Sequence, residues 1–321
     1  MKGVLVMKRP VSLPKSIHKL AELSRFFRFE LSDRPLAILM VIPSIIVITV
    51  FALFPLAEGL YSSFFQVDAA TLAMKFIGLQ NYRWLLSGSL FWESLGRSAL
   101  WVVSATGMQA ILGIAIALLL HQELVGRNIA RGLVLFPYLI PAIVISLTWR
   151  FILDPTMGVF NRMLMDFGLI ERPIGFLSNP HTAMLFVIIG GIWKYTPFVV
   201  LMTLARLQVI PVELEEAARI DGANAWQVFR YITLPWLSPV IIVTMLLRTV
   251  WTFRQFDIVY LFAFGGPLFS TTTLPVLVRY LAFDARQIGP AAATGSLMFI
   301  VMILMSWGYF VLYSKTEGAL E

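Results

Sequence analysis

Apolar and polar residues segregate along this chain into six long apolar blocks joined by shorter polar stretches. The blocks lie near residues 36–60, 97–120, 132–153, 183–207, 237–261 and 290–313. As helices rising ~1.5 Å per residue, each is long enough to cross a hydrocarbon core of ~30 Å. Between the fourth and fifth blocks the pattern changes to water-compatible helix. Pro211 suits a first helical position, and Glu213, Glu215 and Glu216 follow in the first turn, where the helix dipole favours anions. Asp221-Gly222 ends that helix, since glycine takes the left-handed backbone of a C-terminal stop. Asn224 then caps a second helix with Trp226, Phe229 and Ile232 on one stripe, expected to stop before Pro235. A short helix, a glycine turn and another short helix between membrane spans form a docking element.

Residues 1–35 are basic, with Lys2, Lys8, Arg9, Lys15, Lys19, Arg25, Arg28 and Arg34 against Glu22, Glu30 and Asp33. Polar sequence runs on to Pro35 where a cleaved leader would turn apolar, so this stretch reads as an uncleaved cytoplasmic tail. Residues 16–31 fit either an amphipathic surface helix, with Ile17, Leu20, Leu23, Phe27 and Leu31 on one side, or a disordered tail. With the N-terminus inside, the tail, Arg127, Arg131, Arg206, Arg219, Arg230 and Lys315 all fall on the cytoplasmic side. The opposite side holds only Lys75, Arg83, Arg162, Arg172, Arg279 and Arg286. That asymmetry obeys the positive-inside rule and returns the C-terminus to the cytoplasm.

Composition agrees: 59% hydrophobic, 13% charged and a mean hydropathy of +0.82 describe a polytopic membrane protein. The fold class is therefore all-α, with about six transmembrane helices. The absence of cysteine removes disulfides and thiolate metal sites. His18, His121 and His181 are too dispersed to suggest a metal centre. The net charge of +7 follows topology, and the second cytoplasmic helix has only Arg230 as a cation, too few for nucleic-acid phosphates.

Pro43, Pro55, Pro137, Pro141, Pro197 and Gly190-Gly191 interrupt the spans. They fit kinked, mobile helices or the ordinary glycine and proline content of membrane helices. Charges inside the spans are more telling, because each costs ~2.5–3.5 kcal/mol at the bilayer centre. Arg248, Arg254 and Asp257 lie in the fifth block, Arg150 near the end of the third and Lys194 in mid-fourth. Trp251, Arg254, Asp257 and Lys194 are the candidate lining of a substrate path. Arg254 with Asp257 is equally readable as an internal salt bridge, and Arg150 and Lys194 as snorkelling or interface residues.

Glu216-Ala217-Ala218, Gly222 four residues on, and Ile232-Thr233-Leu234-Pro235 together resemble the Glu-Ala-Ala loop of permeases in bacterial binding-protein-dependent ABC importers. Gly78-Leu79-Gln80-Asn81-Tyr82, Trp193 to Pro197, Ile220-Asp221-Gly222-Ala223, Phe256-Asp257-Ile258-Val259, Gly265-Gly266-Pro267 and Gly289-Pro290-Ala291-Ala292-Ala293 resemble the carbohydrate-uptake branch. Within it the chain is similar to the first of two permeases in maltose-, trehalose- and glycerol-phosphate-type systems. It departs at Ala263-Phe264, where the family more often has a threonine and a glycine. The resemblance implies a type I importer permease fold in a bacterial inner membrane, with residues 36–321 as the transmembrane domain and a coupling loop over 208–238. It also implies a second permease, two ATPase subunits that bind ATP and magnesium, and a periplasmic or lipid-anchored substrate-binding protein. Glu216, Ala217, Ala218, Asp221 and Gly222 would then contact an ATPase.

None of the seven lysines follows a glycine, so this chain has no Gly-Lys-Ser/Thr phosphate loop, and no cofactor is expected in it. The expectation is a non-catalytic translocation subunit for a sugar, polyol or sugar derivative, including an anionic phosphorylated or sulfonated one. A secondary ion-coupled transporter is the alternative, which the docking element disfavours.

Overall fold

The computed structural model describes residues 33–68 and 70–317. The tail expected over residues 1–35, including the surface helix over 16–31, lies outside them except for residues 33–35. The chain divides into two compact units, residues 1–57 and 58–321. In the first, α1 (Asp33–Ile48) passes Pro43 unbroken and continues through a π turn (Thr49–Leu53); α2 (Phe54–Ser62) follows and crosses the boundary at residue 57. The π turn directly precedes Pro55, whose ring cannot supply a helical N–H.

The second unit begins with a short antiparallel hairpin, β1 (Phe65–Val67) and β2 (Met74–Phe76), paired Phe65 to Phe76 and Val67 to Met74. Asn81, in α3 (Gln80–Ser87), donates from Nδ2 to the carbonyls of Ser63 and Phe65, so the Gly78–Tyr82 motif anchors this hairpin. The long α4 (Ser89–His121) follows, then α5 (Arg127–Leu139) and α6 (Ala142–Ile152). The short α7 (Val159–Asp166) lies in a loop where Asp154 accepts backbone N–H groups of Met157 and Thr156. Those bonds hold the Asp154 carboxyl below its ordinary value. The remaining elements are α8 (Ala183–Leu207), α9 (Val212–Ile220), α10 (Ala225–Val228), α11 (Leu234–Phe253), α12 (Asp257–Ala263), α13 (Leu274–Arg279) and α14 (Ile288–Glu317).

The all-α, six-span expectation stands, with two changes of shape. The block over 132–153 is not straight: α5 and α6 meet at an angle of 94° around Ile140-Pro141. Pro141 has no N–H to extend α5, and it holds Ile140 extended. The fifth block ends early, at Phe253, and begins early, because α10, a π turn (Phe229–Thr233) and α11 form one helix over Ala225–Phe253. Pro235 therefore does not stop the second short helix. It sits in the first turn after the π turn, where its missing N–H is tolerated.

Among the described spans α8 is the most deeply buried, and it packs chiefly on α4. Gly190 and Gly191 make this possible. A Cβ on Gly191 would lie 2.2 Å from the Trp101 ring of α4, and one on Gly190 2.3 Å from the Phe262 ring of α12. The glycine pair is thus a socket for two aromatic rings, a close-packing role that small residues allow in membrane helices. A second apolar cluster near the loop end joins Leu120 of α4, Leu204 and Leu207 of α8, Ile210 and Leu237 of α11.

Gly191→Ala should overpack this socket and destabilise the chain by ~1–3 kcal/mol. Gly107→Ala, in the same bilayer but facing open space, should not. Thermal unfolding of both variants in detergent checks this; equal midpoints would show that the ring has room to move.

Candidate functional site

The water-compatible pair forms as its sequence dictates. In α9 the Ala223 N–H bonds the Ala218 carbonyl at 2.9 Å and the Gly222 N–H bonds the Arg219 carbonyl at 3.1 Å. Gly222 has φ +88°, so this is a Schellman stop that needs glycine. Asn224 and Gln227 then exchange bonds of 3.0 and 2.8 Å in a capping box that starts the long helix. Glu216, Ala217, Asp221 and Gly222 are exposed, and Ala218 is half-buried. Ile220 is 85% exposed and Trp226 67%, leaving an apolar surface beside an acidic one. Glu215 pairs with Arg219 at 3.8 Å, whereas Glu216 has no ion pair within the described residues.

From Ala225 the helix runs unbroken for 29 residues, ~43 Å at 1.5 Å each, to the far end of α11. There a cavity of about 410 Å³ opens. It brings together Trp251, Arg254 and Asp257, three of the candidate path residues, with Tyr138, Tyr195, Arg248 and Gln255. Lys194 is not among its lining residues. It is buried, and its ammonium donates to the Ile140 carbonyl at the end of α5. It thereby satisfies a carbonyl orphaned by the α5–α6 bend and supports the segment carrying Tyr138.

Arg254 and Asp257 come close in sequence but form no ion pair within 4 Å; both are exposed. Their helices explain this. Arg254 caps the C-terminus of α11 and Asp257 occupies the first turn of α12, so each charge meets the favourable end of its own helix dipole. Arg248 is the opposite case, only 2% exposed. Its Nε donates to Gln109 Oε1 at 2.9 Å and its Nη2 to Thr252 Oγ1 at 3.2 Å, while the guanidinium lies 4.5 Å from the Tyr195 ring centre. Gln109 in turn donates to the Gly191 carbonyl at 3.3 Å. Arg150 rests on Phe264, 4.4 Å from its ring centre.

The aromatic wall is continuous. Tyr138 meets Tyr195 edge-on at 6.4 Å and stacks on Phe198 at 6.0 Å, and Phe198 meets Trp251 at 5.3 Å. Gln255 donates to the Tyr195 hydroxyl. Tyr138, Tyr195, Gln109 and Gln255 are the residues that sequence reasoning missed. Spacing within α11 pointed to Trp251 and Arg254, but the tyrosines arrive from α5 and α8, and nothing local to them marks the meeting.

Gln109→Leu should leave the buried Arg248 Nε without its acceptor and cost ~1–3 kcal/mol of stability. Adding Arg248→Met should recover part of that loss, because the unpaired charge is then gone. A double-mutant cycle on thermal midpoints measures this; strictly additive losses would show that the two side chains are not coupled.

Residues 109–318 match the family model described as the inner membrane component of binding-protein-dependent transport systems. The trehalose/maltose transport system permease protein of Thermococcus litoralis is 35% identical over 283 residues, covering 88% of this chain and 94% of that protein. The sulfoquinovosyl glycerol transport system permease protein of Agrobacterium fabrum is 32% identical over 290 residues, covering 90% and 94% respectively. Among solved structures, a chain from a bacterial ABC transporter involved in the import of alginate matches with a TM-score of 0.77 at 22% identity, over 93% of this chain and 99% of that one. At that identity the structural likeness speaks for the fold alone, that of type I importer permeases. Family, relatives and fold agree: the chain belongs to the inner-membrane components of binding-protein-dependent transport systems, the multi-pass permeases of ABC importers.

Proposed function

We propose that this chain is the translocation subunit of an ATP-driven sugar importer, and that residues 208–238 couple an ATPase to the membrane-spanning helices. One observation carries the reading: the exposed pair around Gly222 is continuous, through Ala225–Phe253, with the rim of the Trp251–Arg254–Asp257 cavity. Glu216 has the free carboxylate to meet a partner's cation in a charge-assisted bond, and Ala217 and Ala218 allow close approach. Ile220 and Trp226 supply the apolar part of the same contact. The family supports the partners of this reading: a second permease, two cytoplasmic ATPases holding ATP and magnesium, and an external substrate-binding protein. Catalysis then lies in the ATPases, with no cofactor in this chain. The cation asymmetry supports a bacterial inner-membrane location with both termini and residues 1–35 on the cytoplasmic side.

In the cavity, Trp251, Tyr138 and Tyr195 offer aromatic faces, while Arg254, Gln255 and Asp257 offer donors and acceptors for hydroxyl groups. That lining suits a sugar. Lys194 serves the path from behind, through the Ile140 carbonyl. Arg248 and Arg254 against Asp257 leave the lining net positive, which favours an anionic sugar as the second reading.

In a reconstituted complex, Glu216→Lys and Gly222→Pro should each abolish receptor-stimulated ATP hydrolysis, the second because proline cannot take φ +88°. Hydrolysis at the wild-type rate would remove the docking assignment. Arg254→Gln should lower uptake of a neutral sugar about fivefold or less, and of a sulfonated or phosphorylated one by tenfold or more. Unchanged uptake of both would take Arg254 out of the path.

A further inference from the structure

Beyond the central cavity, Phe256 at the N-cap of α12, Tyr260 within it and Phe264 at its C-cap follow four-residue spacing, which brings their rings together. Phe256 and Tyr260 are parallel with centres 4.8 Å apart, and Tyr260 meets Phe264 edge-on at 5.3 Å. Phe256 lines the central cavity. Tyr260 and Phe264 line a different one of about 380 Å³, at the end of the molecule away from the Gly222 loop. Phe269, Tyr280, Arg279 and Asp284 share this outer cavity.

Two features mark it as built for a ligand. The backbone of its rim is strained: Phe264, Leu268 and Phe269 have φ of 51°, 50° and 61°, left-handed values that non-glycine residues avoid. Two of these strained residues, Phe264 and Phe269, are the ones whose rings line the cavity. Its polar groups are also fixed. Arg279 pairs with Asp284 and lies 4.7 Å from the Tyr260 ring centre, and Arg150 holds one face of Phe264. A guanidinium and a carboxylate held side by side keep donors and acceptors that can bind neighbouring hydroxyls together, while the rings accept the C–H face of a saturated ring.

We propose that this outer cavity is a second carbohydrate site, a station between the external receptor and the central cavity, joined to the latter by the Phe256–Tyr260 stack. It rests on the sugar-importer reading above. The substrate released by the receptor first contacts Phe264, which is 52% exposed, and the Arg279–Asp284 pair, before passing along α12 to Trp251.

The test uses the complete complex with its receptor in proteoliposomes, offered trehalose, maltose and sulfoquinovosyl glycerol as probes. The readout is sugar delivered per ATP hydrolysed. Phe264→Gly removes the ring and suits the left-handed backbone, so folding is not at risk. It should lower the ratio about fivefold, as should Asp284→Ala, while Phe264→Tyr keeps the ring and restores the ratio. Phe283→Ala, a side chain 73% exposed and outside the cavity lining, is the control with a wild-type ratio. Ratios within twofold of wild type in both Phe264→Gly and Asp284→Ala overturn the outer site alone. A wild-type complex that delivers none of the three sugars overturns the importer reading, and the outer site with it.

Discussion

The architecture depends on one contact, the seating of Trp101 in the socket at Gly191. The indole fills space that any side chain at 191 would deny it, and its Nε1 donates to the Thr252 carbonyl at 3.0 Å. That carbonyl belongs to the last turn of α11, where it also accepts the Gln255 N–H at 3.2 Å. One ring therefore closes the interface of α4 with α8 and ties it to the end of α11. The Thr252 hydroxyl meanwhile receives Arg248, and Arg248 receives Gln109, which returns to the Gly191 carbonyl. The circuit is polar, buried and complete, which is the condition under which such networks fix geometry. The cavity beside it inherits a rigid back wall.

Against that wall, the helix over Ala225–Phe253 is held unequally at its two ends. Its loop end is exposed and held by few polar bonds, chiefly Arg206 Nε to the Trp236 carbonyl at 3.0 Å and Thr233 to Glu215 at 3.5 Å. Its far end is locked into the Trp101 circuit. A displacement applied near Gly222 is therefore resisted at Thr252, and the compliant part lies between. The π turn at Phe229–Thr233 falls in that interval, where the backbone is already wider than an α-helix. Under the coupling proposed above, a push at the loop end would turn the helix about its Thr252 end.

How much of this was legible in the sequence follows from how local each signal is. The helix pair around Gly222 was legible in detail because Gly222 and Asn224 act within a turn of themselves. The spans were legible because apolar length is a local property. The 94° bend was not, since Pro137 and Pro141 announce an interruption without its angle, and Lys194 meets the bend at Ile140 from another helix. Pro235 misled for a related reason: proline ends α-helix by rule, but a π turn immediately before it removes the conflict. Gly190-Gly191 could be read only as small, because the rings that need the space sit on α4 and α12.

The unpaired state of Arg254 and Asp257 follows from the same helix end. Were α11 continuous through residue 261, both charges would lie mid-helix and would need each other. Breaking the helix between Phe253 and Asp257 supplies each with a backbone dipole of the right sign, so neither spends its hydrogen-bonding capacity on the other. The break also turns Gln255 and Phe256 toward the cavity in the same few residues. A helix end inside a membrane protein leaves backbone groups that must find partners, and here Trp101 Nε1 and the backbone N–H groups of Arg254 and Gln255 supply them. The polar face that results keeps the side chains of Arg254, Gln255 and Asp257 at the cavity lining.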